Sequence, residues 1–555
     1  MKVRDVPRLL RTVVHVRPGQ AVAQLQYKLG RGVARAAPLV PDPEWGLTEP
    51  AVPFLGPASH AGCDGESIRL INRELPFEGE PDWNFEAHGP LFAFHLHQFD
   101  WVRDPSLSPR KRVEILLHWI EDHDEGVGWS PHPISLRILS WGKLLLTPGA
   151  LELDSTDRRG ILASLGRQAE TLMQNPERRL EANHLLSNWL GVVFAGALLR
   201  GDHADRWLSC ETELRTELDK QIAPDGSHVE RSPMYHALLL ENLLDLRNLG
   251  RAEPGRLPAS LDAALEDCTA RMLGALEVWT HEDGEIALLG DSAFGIAQRL
   301  GELRPYAAAL GVTPSGPPTP GWLPGAGSAR LGAGPFSLLA SVAGPQPSYQ
   351  PGHAHCDALS FELVVSGERV VTDTGVAEYT SGALRTLSRS TRAHATIEVS
   401  GQEQAEIWSS HRIGGRPRVR VESVDPPARI VASCTGWAMP GAVHRRSFAV
   451  ASDGLEIVDS LEGPARRVTM HLPLAPGLVP ALSQPVPGQW VCRVGLRCGG
   501  TLRIELPEGV SWSVEEADYL PEFGLAVPRA CLVGKADRFV RGCWRFRKDE
   551  ESFSA

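Results

Sequence analysis

The chain has 555 residues and a formal net charge of −12. That balance supplies no basic field for a nucleic-acid partner, although a local basic cleft could still take an acidic polysaccharide. A length of this order supports two or three packed units, and 42% apolar with 22% charged residues is ordinary for globular domains.

The first twenty residues, MKVRDVPRLLRTVVHVRPGQ, break their apolar run at Arg8, Arg11 and His15. No signal peptide is evident, and no segment approaches the ~20 apolar residues of a membrane span. The expected location is cytoplasmic, or outside by a route the sequence does not display. Residues 1–100 read as Pro-rich and irregular, with a few short helices. Between about 101 and 315 the apolar residues recur at three- and four-residue spacing, as in SPRKRVEILLHWIED and ILASLGRQAETLMQN. HLLSNWLGVVFAGALLRG is apolar nearly all round and predicts a buried inner helix. Many helices with short connections suggest a toroid or solenoid of helical hairpins. TPSGPPTPGWLPGAGSA, residues 313–329, is too rich in Pro and Gly for a regular element. After it come short alternating runs with Ser-Gly and Asp-Gly turns, among them LSFELVVSGERVV and AVASDGLEIVDS, which predict an antiparallel β-sandwich. The nine cysteines are odd in number and form no CxxC, so reduced, mostly buried thiols are expected.

Three stretches carry residue types suited to chemistry. In DGSHVERSPMYHALLLENLLDLRNLG, Ser232 and Pro233 make a helix start and Gly250 a stop. Tyr235 then lies in the first turn, where the helix dipole favours the phenolate and lowers the pKa. His228 and Arg231 are close in sequence. The alternative is a ring that merely packs at a helix end. In EANHLLSNWL, Asn183 and His184 start the buried helix, as caps or as contacts for a carboxylate entering a cleft. In GHAHCDALSFELVVSGERVVTDTG, His353 and His355 point the same way if the run is extended. With Asp373 and His394 they offer a plausible zinc or manganese donor set. The HxH lacks the Glu of a cupin, because Leu359 and Ser360 stand where it belongs. It lies in an all-β half, unlike that of a β/α-barrel amidohydrolase.

Taken in order, WSPHPISLRILSW, NHLLSNWLGVVFAGALL, DGSHVERSPMYHALLLENLLDL, LLGDSAFG, GHAHCDALSFEL, VVTDTGVAEY and RSTRAHATIEVSG resemble the heparinase II/III-like polysaccharide lyases and their alginate-lyase relatives. The resemblance covers roughly residues 80–460. It implies an α+β multidomain chain, an N-terminal incomplete (α/α) toroid (101–315) followed by a C-terminal antiparallel β-sandwich (326–555). It further implies β-elimination on a uronate polysaccharide, heparan sulfate, hyaluronan or chondroitin sulfate before alginate. A base takes the C5 proton, an acid protonates the leaving O4, and the uronate carboxylate is neutralised.

Carried over by motif, Asn183 and His184 look like neutralisers, Tyr235 like the general acid, and also the base for one stereochemistry, and His353 like the base for the other. His355, Asp373 and His394 look like ligands of one structural divalent metal. Arg137 looks like a uronate contact, with Tyr379 and Glu230 as further substrate-site candidates. The competing readings are a non-catalytic polysaccharide-binding or assembly protein and a toroid glycoside hydrolase. The second would need a carboxylate pair, and Glu230 and Asp291 form none in sequence.

Overall fold

Three of the longer helices begin where the sequence supplies a side-chain cap. In this computed structural model, which describes residues 6–29, 36–40, 44–47, 49–317, 320–437, 439–464 and 466–549, the Ser108 hydroxyl accepts from Lys111 N and opens Pro109–Asp122. Asp154 caps Ser155–Gln174 through the amides of Thr156 and Asp157. Ser232 opens Pro233–Ala252 by accepting from Tyr235 N at 3.3 Å. These helices, with Pro131–Leu146, Ala182–Leu198, Glu211–Gln221 and Ala259–Trp279, pack side by side as an incomplete toroid. Ala182–Leu198 is the inner helix, and every residue in it except His184 is buried. It lies against Pro131–Leu146 so closely that a Cβ on Gly191 would stand 3.1 Å from Ser135 Cα. Gly250 does not end its helix. It sits inside it, where a Cβ would come within 2.7 Å of Leu257, so packing rather than termination explains that glycine.

Residues 1–100 are more regular than their composition suggests. Ala61–Cys63, Ser67–Leu70 and Arg73–Pro76 form a three-stranded antiparallel sheet. Helix Gly89–Gln98 packs on Pro131–Leu146. The N-terminal helices Val6–Val13 and Pro18–Lys28 touch both halves of the molecule: Arg11 pairs with Glu406 of the β half, and Arg17 with Glu181 of the helical half at 2.8 Å.

The second half is antiparallel. Sheets of five, four and eight strands enclose a core that includes Phe336, Leu363, Phe448, Ile457, Met470 and Trp544. One hairpin turn follows the expected chemistry. Ser366-Gly367 joins Ser360–Val365 to Glu368–Val371 with φ of 53° and 80°, as a type I′ turn requires. The expected Asp-Gly turn is not formed: Ser452-Asp453 joins Met439–Ala451 to Gly454–Glu462, neither loop residue has positive φ, and Gly454 is in the strand facing Ala451. Within the Pro/Gly stretch 313–329, Trp322–Leu323 still forms a short strand against Ser328 and Ala329. All nine cysteines are free. Seven are buried, Cys543 is half-buried and Cys498 exposed. Among the described residues no helix is long and apolar enough to cross a membrane.

Candidate active site

A cavity of 810 Å³ lies where the helical and β halves meet. From the helical half it is lined by Asn183, His184, Glu230 and Tyr235, and from the β half by His353, Tyr379 and His411. The helical wall is set by strained approaches. Glu181 and Ala182, just before Asn183, and Arg231, just before Ser232, all have φ near +50° to +60°. Such backbone costs of order 1–3 kcal/mol per residue and persists only where neighbours enforce it. Arg231 is held by the carbonyls of Gly325 and Gly344, and His228 by Gln221. Neither is among the residues lining the cavity, although both are near Tyr235 in sequence.

One carboxylate joins the two walls, beside the Tyr235–Tyr379 hydroxyl contact. Asp291 Oδ2 accepts from His353 Nδ1 at 2.9 Å, and Oδ1 accepts from His355 Nε2 at 2.8 Å. Arg385 closes the same carboxylate with both guanidinium ends. Burial alone would raise the Asp291 carboxyl. The Arg385 charge and the two histidine bonds outweigh it and hold the group well below the usual carboxylate range. An ionised Asp291 can only accept, so both bonding nitrogens must carry protons. That fixes the tautomers of the neutral rings, leaving the lone pair of His353 on Nε2 and that of His355 on Nδ1. Gly290 makes the approach possible: at φ +58°, a Cβ there would meet the His353 carbonyl at 2.9 Å. The amide of Asp291 donates to that same carbonyl.

His353 and His355 lie on an irregular loop before strand Ser360–Val365, not on an extended strand. They do converge, on a carboxylate rather than directly on one cation.

The His353 ring lies 4.2 Å from that of Tyr235, centroid to centroid. The Tyr235 hydroxyl shares a 2.9 Å hydrogen bond with that of Tyr379. The expected lowering of the Tyr235 pKa is not found. Burial, with the charges of Asp291 and Glu230, pushes it well above its usual value despite the bond to Tyr379. Desolvation and two nearby carboxylates exceed the dipole of one helix start. The phenol therefore rests protonated. On the helical wall, the backbone N–H of Asn183 donates to Glu230 Oε1 at 2.9 Å. His184 Nδ1 bonds Glu177 at 2.8 Å and stacks on His132 at 4.3 Å. Burial would lower His184, but the Glu177 charge and hydrogen bond raise it, while burial and that neighbour push His132 down to about 3.

Arg137 is the one expected substrate contact that the structure removes from the cleft. It is fully buried beneath Trp119, 4.0 Å from the ring, and donates to Gln168, His97 O and Gly128 O. It is absent from the cavity lining and serves the aromatic core. Its sequence spacing could not reveal this, because a helix inside a toroid buries both of its faces.

Behind His353, the side chains of His355, Asp373 and His394 are buried, and their ligand atoms lie within 4.8 Å of one another. His355 Nδ1 and His394 Nε2 have no hydrogen-bond partner, while His394 Nδ1 bonds Asp373 at 2.8 Å. Two orphaned imidazole nitrogens beside a carboxylate suit zinc or manganese.

Two family models match, Heparinase II/III N-terminus over residues 121–275 and Heparinase II/III-like, C-terminal over residues 315–542. The chain belongs to the heparinase II/III-like family. Among curated relatives it is 26% identical to FtsZ-localized protein C of Caulobacter vibrioides, over 74% of this chain and 72% of that one. It is 25% identical to the heparin-sulfate lyase of Pedobacter heparinus, over 55% of this chain and 48% of that one. Its fold is that of heparinase III (TM-score 0.69, 16% identity, 98% and 94% of the two chains) and of the heparan sulfate lyase HepC of Pedobacter heparinus (TM-score 0.55, 19% identity, 87% and 80%). Within this heparinase II/III-like chain, sequence reasoning missed Asp291 as the joint and Arg385 as its clamp. The one available signal was the Gly-Asp pair in LLGDSAFG.

Proposed function

We propose that the chain is a polysaccharide lyase that cleaves a uronate-containing polymer by β-elimination in this cavity. The observation that carries the reading is the convergence of a protonated phenol and an imidazole of fixed tautomer. Tyr235 and His353 stand ring to ring, and Asp291 leaves His353 Nε2 free to accept a proton. His353 would take the C5 proton, and Tyr235 would give its proton to the leaving O4 as the C4–O4 bond breaks and the C4–C5 double bond forms. Where proton and leaving group lie on one face, Tyr235 would serve both steps, which requires that its own hydroxyl proton first be taken up by a base. The raised pKa of His184 supports an imidazolium that, with the Asn183 amide, neutralises the uronate carboxylate and makes C5 more acidic. Tyr379 would steady the Tyr235 hydroxyl, and Glu230 would position Asn183. His355, Asp373 and His394 would hold one divalent ion, which when bound supplies a structural cross-link behind the His353 loop. The hydrolase alternative is disfavoured, since Arg385 locks Asp291 and Lys143 holds Glu241.

A second reading is favoured by one comparison. The relative from Caulobacter carries a localisation, not a reaction, in its name. A non-catalytic polysaccharide-binding or assembly role would use the same cavity. Product chemistry separates the two. With heparosan, hyaluronan, unsulfated chondroitin and alginate as substrates, elimination is expected to give unsaturated uronate ends that absorb in the near ultraviolet. Tyr235→Phe keeps the ring and is expected to lose ~10²–10⁴-fold in rate. Near-normal turnover in that variant removes Tyr235 from the chemistry, and wild-type protein silent on the whole panel favours the non-catalytic role.

A further inference from the structure

Far from the catalytic loop, the helices Val6–Val13 and Pro18–Lys28 are built inside out. A surface helix ordinarily buries its apolar stripe and turns its charged face to water. In Val6–Val13 the stripe of Val6, Leu10 and Val13, continued by Val14, recurs at helical spacing and is exposed, Leu10 to 65% and Val14 to 75%. The polar face meets the protein instead. Arg8 and Arg11 reach Glu406, and the Thr12 hydroxyl accepts from Trp408 Nε1 at 3.1 Å.

Pro18–Lys28 repeats the inversion. Its buried side chain is a glutamine, Gln20, which donates to Leu180 O at 3.4 Å, and Arg17 just before it pairs with Glu181. Val22, Leu25 and Leu29, again at helical spacing, lie exposed. Both helices are thus tied down by polar contacts, with their apolar stripes left outside.

Exposed apolar side chains scattered singly need no explanation, but a group of them does. Of the 15 large apolar side chains exposed among the described residues, eight lie between residues 6 and 29. Charge gathers in the same segment. Residues 1–36 contain eight Lys and Arg and one Asp, in a chain that has 56 Lys and Arg against 68 Asp and Glu. Arg8, Arg11 and Arg17 stay partly in solvent although paired, and Lys28 is exposed. Apolar stripes among cations are what a helix needs to lie in a bilayer surface: the stripe enters the boundary between headgroups and acyl chains, and the cations meet anionic phosphates. A second copy of the chain fits less well, because its own matching segment would bring the same cations face to face with these.

We propose that Val6–Val13 and Pro18–Lys28 dock the protein onto an anionic lipid bilayer, lying on it without spanning it. The full chain is tested by cosedimentation with vesicles of phosphatidylcholine, alone or mixed with phosphatidylglycerol, at ~0.1 M salt. Binding to the anionic vesicles is expected to be at least ~10-fold stronger, and to weaken as salt rises to ~0.5 M. The double variant Leu10→Glu with Leu25→Glu changes two exposed side chains. It is expected to keep its melting temperature and to lose at least ~10-fold in binding. If that variant melts early, Val14→Glu, just outside the helix, is expected to weaken binding in the same direction. Lys28→Glu is expected to weaken it several-fold at low salt.

No binding to either vesicle overturns the proposal. So does equal binding to neutral and anionic vesicles, or a folded Leu10→Glu, Leu25→Glu variant that binds like the wild type. Self-association that this variant abolishes, without vesicle binding, would give the surface to a second copy and overturn it as well. Vesicle binding is read without any sugar present, so it is decided separately from the lyase reading.

Discussion

The helical and β walls of the cavity are built on different terms. On the helical wall, the site residues sit at the starts of regular helices: Asn183 and His184 open Ala182–Leu198, and Tyr235 lies in the first turn of Pro233–Ala252. On the β wall, His353, His355, Asp373, Tyr379 and His394 all lie outside regular strands. The Ser232 cap orders the first turn that carries Tyr235, and the helical ladder orders the uncapped start at Asn183, but a loop is ordered only by what it touches. Here Asp291 and Arg385 provide that contact, together with any metal held by His355, Asp373 and His394. The helical wall should therefore tolerate single losses, whereas the β wall should fail as a unit.

Asp291→Asn should give the largest effect, because it attacks the joint itself. The amide cannot accept from both histidines and both arms of Arg385 as an ionised carboxylate does, so a buried guanidinium is left uncompensated. Breaking a buried pair in this way costs about 3–5 kcal/mol. Thermal unfolding should shift down markedly, and unsaturated-product formation should fall by ~10² or more, because the His353 tautomer is no longer fixed. A variant with wild-type stability and rate would show that the walls are ordered independently.

The two loop histidines come next, and they should part company. His355→Ala removes a candidate ligand and should lose bound zinc or manganese along with thermal stability, since metal bound only by the folded state adds directly to folding free energy. His353→Ala should keep the metal and most of the stability, yet lose activity. Metal analysis of both purified variants reads this directly. Loss of metal from His353→Ala alone reverses the roles, and metal-free wild-type protein removes the site.

How much of this was legible follows from the same contrast. The toroid-then-sandwich order could be read because periods of 3.6 and 2 are local properties, and the turn at Ser366-Gly367 follows short-range backbone chemistry, whereas the glycine of the Asp453-Gly454 pair, read as part of a turn, belongs to the strand. The helix starts could be read from Ser232-Pro233. Asp291 could not, since its partners are 62, 64 and 94 residues away. Arg137 misled because a motif states a residue type and not which way it faces. The Tyr235 pKa misled for a related reason: the dipole is local, but the burial and the Asp291 charge that outweigh it come from tertiary contacts.

Acid should weaken the helical half and, through the His281–Glu362 contact, its junction with the β half, by an amount the histidines set. Burial pushes His123 and His281 down to about 4 and His236 to about 3, with Arg137 adding to the first and Arg330 to the second. Folded, they stay neutral, while an unfolded chain binds those protons near the ordinary value of about 6.5. The stability they contribute is therefore fully present above pH ~6.5 and is lost as pH falls toward 4 and then 3. Melting temperature measured from pH 8 to 4 should be flat at first and then drop. A flat profile down to pH 4 would mean these rings are solvated in solution.

The smallest predicted effect tests whether the helical wall is as self-sufficient as its caps suggest. Ser232 is fully buried, and its hydroxyl accepts from Tyr235 N at 3.3 Å while donating to the carbonyl of Asp291 at 2.8 Å. One atom thus caps the helix that carries the proposed acid and touches the segment that carries the joint. As a cap alone, Ser232→Ala should cost about 1 kcal/mol, a small shift in melting temperature, with activity nearly kept. If the hydroxyl also sets the position of Asp291, the rate should fall more than ~10-fold while the stability loss stays that small. Ser232→Thr, which keeps the hydroxyl, should restore the rate in that second case. Comparing rate and melting temperature in these two variants distinguishes a helix start that stands alone from one that depends on the opposite wall.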